Sequence, residues 1–137
     1  MKMTTRLSRL VPVLAASLVL LACQAGYGEP EETMKLEGSL FYYERIALPE
    51  GSKVRVWLED STEEPIAETE FTTDRQVPLP FKLEFAPGRL PESGEVILHA
   101  QIDFADDGPR YSTRHEFQLD PEGHQPDLNL RVSEGGR

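Results

Sequence analysis

The sequence predicts an all-β domain, a single antiparallel β-sandwich of about seven strands with an immunoglobulin-like plan, placed after a signal peptide. Three observations carry that prediction. From residue 35 onward the apolar residues recur with period two rather than 3.6. Gly, Pro, Asp and Ser clusters punctuate the alternating runs. No helical stretch of ten residues follows the first 22 residues. Strands this short and this numerous do not all bury an inner face in one open sheet, and two packed sheets do.

Residues 1–22 have the plan of a secretory signal. Lys2, Arg6 and Arg9 precede an apolar run from Leu10 to Leu21 broken only by Pro12 and Ser17. As a helix such a run spans about 18 Å, well short of the roughly 30 Å hydrocarbon core of a bilayer. It therefore reads as a signal core rather than a membrane span. The run ends Leu20-Leu21-Ala22-Cys23, which resembles the lipobox of bacterial lipoproteins, in which the Cys thiol is diacylated and the signal removed. An ordinary signal with a Cys in its cleavage region is the other reading. The lipobox resemblance makes Cys23 a lipidation site rather than a catalytic thiol. Two or three acyl chains, at about 0.8 kcal/mol per buried methylene, anchor durably where one does not. Gln24, in place of an Asp, implies the outer membrane.

Residues 23–34 form the lipidated Cys and a flexible tether. Gln24 to Met34 is small, acidic and proline-containing, with no strand or helix period. A coil of that length reaches roughly 15–20 Å. Of 14 basic residues three lie in the first 22, so residues 23–137 set 11 bases against 24 acids, a formal charge of −13. That field excludes nucleic acid, whose phosphates need Lys and Arg, and excludes a basic membrane-binding face. The tethered domain is expected to stand off the bilayer. One Cys excludes an intramolecular disulfide framework.

The sandwich is expected over residues 35–133, with a tail at 134–137. A long first strand covers 35–48. Val54, Val56 and Leu58 then alternate with Arg55, Trp57 and Glu59, and a weaker strand follows at 66–72. Phe81, Leu83 and Phe85 alternate with Lys82 and Glu84. The clearest run is Val96, Leu98, Ala100, Ile102 and Phe104, followed by 111–119 and by Leu128, Leu130 and Val132. Asp106-Asp107-Gly108-Pro109 reads as a four-residue hairpin loop. Phe104 then faces Tyr111, Ile102 faces Thr113, Leu98 faces Phe117 and Val96 faces Leu119. A slip by one residue would set this apolar series against charged residues.

That register places His115 on the inner face opposite Ala100, and His99 on the outer face opposite Glu116. Two histidines on opposite faces cannot share a metal, His124 lies in a loop, and no metal site is expected. Asp103, Asp106 and Asp107 before Gly108 lack the alternating ligand spacing and distal Glu of a calcium loop, so they read as a solvated tip. There is no Gly-x-Ser-x-Gly elbow and no phosphate loop. No catalytic residue, no cofactor and no enzymatic activity are expected. With so many acids, a carboxylate pair at sugar-hydrolysis spacing is expected by chance.

The first strand also poses a question of faces. If Leu36, Leu40, Tyr42 and Ile46 face the core, Phe41 and Tyr43 face out, as does Trp57 on the next strand. The three either form a partner-contact patch, or a bulge or the second sheet covers them.

Leu36-x-Gly38, Arg45-Ile46-Ala47-Leu48-Pro49-x-Gly51, Val54-x-Val56-x-Leu58-x-Asp60, Pro80-Phe81-x-Leu83-x-Phe85 and Asp127-Leu128-x-Leu130-x-Val132 together resemble the YbaY/YscW family of bacterial lipoproteins. The resemblance implies a lipid-anchored protein on the periplasmic face of the outer membrane, with a β-sandwich and no catalysis. One branch comprises pilotins of type III secretion, which help a secretin assemble. The expected partners are the membrane, through lipid on Cys23, and an envelope protein, a secretin or another. Arg45 is given a structural role, a charge-assisted hydrogen bond to Asp60. A small-ligand or cation binder and an envelope-carbohydrate enzyme remain the competing functions.

Overall fold

The computed structural model describes residues 32–122 and 126–135; the signal, Cys23 and His124 lie outside the described residues. Eight strands form two packed sheets: β1 (Met34–Phe41), β2 (Ser52–Asp60), β3 (Pro65–Thr73), β4 (Leu79–Phe85), β5 (Glu95–Asp103), β6 (Arg110–Gln118), β7 (Leu128–Arg131) and the short β8 (Ser133–Glu134). One sheet has the order β4-β1-β7, the other β3-β2-β5-β6-β8. The all-β sandwich is thus as the periodicity predicts. It departs from a purely antiparallel plan at one place, where β7 runs parallel to β1. The chain reaches β7 by crossing from one sheet to the other, and a crossover of that kind sets strands parallel.

The core is the inward half of each alternation. Val54, Val56 and Leu58 of β2, Leu79, Phe81, Leu83 and Phe85 of β4, and Val96, Leu98, Ala100 and Ile102 of β5 are buried. Each Val, Leu, Ile or Phe contributes about 1.5–3 kcal/mol on burial. Gly38 occupies an inward position of β1, opposite Phe81 on one side and Leu128 on the other. A Cβ there would meet the Phe81 ring and the backbone of Leu128, so the site takes only glycine.

The expected first strand over 35–48 ends instead at Phe41. Residues on β1 and β2 belong to different sheets, so the chain must leave one and cross to the other. Tyr42 and Leu48 turn into the core as anchors of that crossing, while Ile46, expected inside, is 43% exposed.

The β5–β6 hairpin is in a different register from the expected one. Ile102 faces Tyr111, Ala100 faces Thr113, Leu98 faces His115 and Asp103 faces Arg110, and the loop is six residues, 104–109. The shift is by two residues, so every side chain keeps its expected face. Tertiary contacts select it. Asp103 accepts a hydrogen bond from Arg110 Nε at 2.6 Å, Ala105 N donates to Ser52 Oγ at 3.1 Å, and Phe104 stacks on Tyr111 with centroids 5.0 Å apart. Asp106 and Asp107 take positive φ at the tip, a conformation Asp tolerates better than most residues.

His115 keeps its inner-face parity but is exposed rather than packed. The three-stranded sheet is two strands narrower than its partner, and β7 has only four residues. His115 is left uncovered and stacks on Phe117 at 5.6 Å, while Phe117 and Leu119 further along still pack against the core.

The connections gather at two poles. At one, the β1–β2 crossing, the β3–β4 turn and the β5–β6 loop meet: Gly51 N donates to Thr73 O at 3.1 Å, and Leu40 pairs with Leu79. At the other, β1 begins, and the 86–94 segment joins the β2–β3 turn through Arg89 Nη2, which donates to Pro65 O at 2.7 Å. Leu119 N, donating to Gly94 O at 2.8 Å, joins the end of β6 to the same pole. Met34, expected in the tether, is instead the buried first residue of β1, so the chain enters the sandwich at the second pole, opposite the β1–β2 crossing.

Candidate functional site

The β1–β2 crossing, residues 42–51, carries the most distinctive sequence motif and is held by hydrogen bonds on both sides. Tyr42 Oη donates to Ile46 O at 2.9 Å, closing the first half. Leu48, 2% exposed, has both backbone groups bound by one side chain. Its N–H donates to Gln76 Oε1 at 2.7 Å, and its carbonyl accepts from Gln76 Nε2 at 2.9 Å. Gln76 thus replaces a strand partner where the chain belongs to neither sheet. Ser52, fully buried, donates to Pro49 O at 2.7 Å while accepting from Ala105 N. Gly51, at φ +77°, makes the turn into β2. Beneath the crossing, Tyr42, Phe104 and Tyr111 form an aromatic trio. Burial first, and then neighbouring negative charge including Glu44, raises the pKa of both tyrosines.

Above these anchors Tyr43, Glu44, Arg45, Ile46 and Ala47 are exposed. Tyr43 is 68% exposed; Phe41 meets its ring edge-on at 5.5 Å, and the Arg131 guanidinium lies over it at 4.5 Å. Phe41 and Tyr43, two of the three expected outward aromatics, are therefore together. Trp57 is not with them. It lies on the outer face of the five-stranded sheet, while Phe41 lies on the outer face of the other.

Trp57 anchors a cluster of its own. His99 stacks on it at 4.8 Å with planes 5° apart, and Arg55 covers the ring at 4.4 Å. Glu59 accepts from Trp57 Nε1 at 3.0 Å and meets His99 Nε2 at 3.0 Å. Arg55 also donates to Glu68 at 2.7 Å, and that bond is the main cause of the lowered Glu68 pKa. Trp57, His99 and Arg114 share one cross-strand row, so His99 faces Arg114 rather than Glu116. Beside the row, Glu95, Ile97, Arg114 and Glu116 line a shallow depression of about 370 Å³. Arg114 and Glu116 are ion-paired with each other. Most charges of this face are paired. Among the described residues, no three His, Cys, Asp or Glu side chains are placed to hold a metal ion.

Arg45 and Asp60 do not pair. They lie at opposite ends of β2, whose nine residues extend over about 26 Å, several times the reach of an Arg side chain. Asp60 instead closes the β2–β3 turn, accepting from Thr62 Oγ1 at 2.6 Å, Thr62 N at 2.8 Å and Glu64 N at 3.0 Å. The Thr62 hydroxyl and then the Glu64 amide lower its pKa. Cys23 lies outside the described residues.

Sequence reasoning missed Gln76 and the Trp57–His99 stack. The outward positions of Trp57 and His99 on their own strands were legible, but the β2–β5 register that joins them links residues some forty positions apart.

Three comparisons bear on this architecture. A family model described as "Type III secretion system lipoprotein chaperone (YscW)" matches residues 31–131. A solved structure, an alternative pilotin from the type II secretion system of Vibrio cholerae, is 30% identical with a TM-score of 0.62, covering 76% of this chain and 100% of that one. No curated protein sequence matches the chain.

Proposed function

The chain belongs to the YscW family of type III secretion lipoprotein chaperones, and on that premise we propose that it is a non-catalytic assembly factor for a secretin, anchored by lipid on Cys23 to the periplasmic face of the outer membrane. The observation that carries the reading is the span of the match, which takes in the sandwich from β1 to β7. The likeness to a pilotin structure over 76% of the chain supports it from the side of the fold. The two comparisons name different secretion types and have pilotin-like assembly in common.

The surface chemistry fits a protein partner better than a reaction. The outer-face carboxylates Glu68, Glu70, Asp103 and Glu116 are each paired with a cation, which leaves them poorly disposed as acid or base. Lipid at residue 23 would confine the domain near the membrane and raise its effective concentration for a membrane-bound partner.

Expression of the chain with the secretin encoded in the same genome tests the proposal. The fraction of secretin recovered in the outer membrane is expected to rise with the parent chain and not with Cys23→Ser. Radiolabelled fatty acid is expected on the parent alone. Equal secretin recovery with and without the chain would refute the assembly role; equal recovery with Cys23→Ser would refute the anchor.

A further inference from the structure

The exposed large apolar side chains of the described domain are Tyr43 and Ile46, and both stand on the β1–β2 crossing. Glu44 and Arg45 are exposed between them, and Arg131 lies over the Tyr43 ring. Among the described residues neither arginine is ion-paired, as is true of Arg75 and Arg89, whereas Lys53, Arg55, Lys82, Arg110 and Arg114 are. Tyr and Arg at a common spot are the residue types that dominate binding energy at protein interfaces. The anchors Tyr42, Leu48, Gln76 and Ser52 fix the segment beneath them, so little conformational entropy is lost when a partner binds.

The position of this pole points the same way. The described chain begins at Glu32, two residues before β1, while the crossing follows the last residue of β1, about 23 Å beyond its first at the usual rise per residue. Acids lie at both poles, Asp60, Glu63, Glu64, Glu92, Asp120 and Glu122 at one and Glu44, Glu50, Asp74, Asp106 and Asp107 at the other, so it is distance that sets the poles apart. With lipid on residue 23, the Tyr43–Ile46 pole is the one farther along the chain path from the bilayer.

We propose that Tyr43 and Ile46, flanked by Arg45 and Arg131, form the docking surface for an apolar segment of the partner that carries carboxylates. The proposal rests on the secretin-assembly reading and names the surface that would serve it. Apolar contact with Tyr43 and Ile46 supplies the anchor. Against Glu44, the one exposed carboxylate of residues 43–47, the two arginines leave a net positive charge, which selects an acidic segment over a basic one.

The test is photo-crosslinking in cells that express the full lipidated chain with its genome's secretin. The photoreactive residue replaces Tyr43 or Ile46 in one set. In a second set it replaces Thr72 and Gln118 on the other sheet and Ser93 at the tether pole. Secretin captured from 43 and 46 but not from 72, 93 or 118 is the expected result. Capture from the second set alone overturns the docking surface and leaves the assembly reading standing. Capture from no position overturns the assembly reading and the surface with it. Arg45→Glu and Arg131→Glu are each expected to lower co-isolated secretin about tenfold or more at unchanged melting temperature. Recovery that rises on charge reversal would refute the acidic character of the segment.

Discussion

Replacing Gly38 with alanine tests how the three-stranded sheet is held together. A Cβ at this position would lie 2.7 Å from Phe81 Cζ and 2.8 Å from Leu128 Cβ, and closer still to the Leu128 carbonyl oxygen. Carbon atoms pack best at about 3.5–4.0 Å, so the methyl overlaps both neighbours. A ring tip can swing aside, but a carbonyl oxygen in a ladder moves only with its strand. Phe81 is 4% exposed and has little free space to enter. β7 has four residues, and its register with β1 begins at the Gly38–Leu128 pair, so the easiest relief is to lose that end of the pairing. Overpacking costs about 1–3 kcal/mol, and a lost backbone hydrogen bond about 0.5–1.5 kcal/mol. Alanine restores about 0.4–1 kcal/mol by restricting the unfolded chain. The net expectation is a loss of about 2 kcal/mol, which for a domain of this size lowers the melting temperature by about 8–16 °C. The assay is a far-ultraviolet circular dichroism melt of residues 23–137 carrying Cys23→Ser. Gly88→Ala is the control, because a Cβ at Gly88 meets nothing within 4 Å, and it should melt at or slightly above the parent. A Gly38→Ala protein that melts with the parent, or a Gly88→Ala protein that falls as far, would refute the reasoning.

Four further perturbations test other parts of the structure. Gln76→Ala removes both partners of the Leu48 backbone and should cost about 2–4 kcal/mol at two buried groups, read as a lower urea midpoint with unchanged slope. Burial opposes ionisation of Asp103, but hydrogen bonds from Arg110 and Gln101 and the charges of Arg110 and Lys53 outweigh it and lower its pKa. Its contribution to stability is therefore present above the ordinary Asp pKa of about 3.9 and is lost as pH falls through the folded value. Asp103→Asn should lower stability at neutral pH and flatten the acid limb of a pH series of urea midpoints. Tyr42, whose pKa is raised, behaves oppositely: its contribution holds below the ordinary Tyr value of about 10 and is lost as pH rises through the folded one. Tyr42→Phe should flatten the alkaline limb. Trp57 is the sole tryptophan, so Glu59→Ala, which frees its indole N–H, should shift its fluorescence, whereas Glu95→Ala should leave the emission unchanged.

Period-two alternation was enough to read β2, β4 and β5, because each buries one face completely. It overran at 42–48, where Tyr42 and Leu48 keep the apolar pattern of a strand while the backbone crosses between sheets. Ile46 continues that pattern and is exposed, since an arch held at both feet turns its middle outward. Arg45 and Asp60 were joined by sequence proximity to the same motif, yet a fully extended β2 separates them. The Phe41–Tyr43 pair was legible from parity on one strand. Parity also turns Trp57 outward, but it does not say on which sheet.

The chain alone determined where most strands lie and which side of each turns inward, because burial of alternate side chains leaves its mark on adjacent positions. It did not determine register or sheet membership. A slip of two residues, as between the expected and observed β5–β6 pairings, keeps every apolar residue inside. Only contacts among distant segments, such as Ala105 with Ser52, Leu48 with Gln76 and Phe104 with Tyr111, distinguish the alternatives, and those contacts exist only once the two layers have packed.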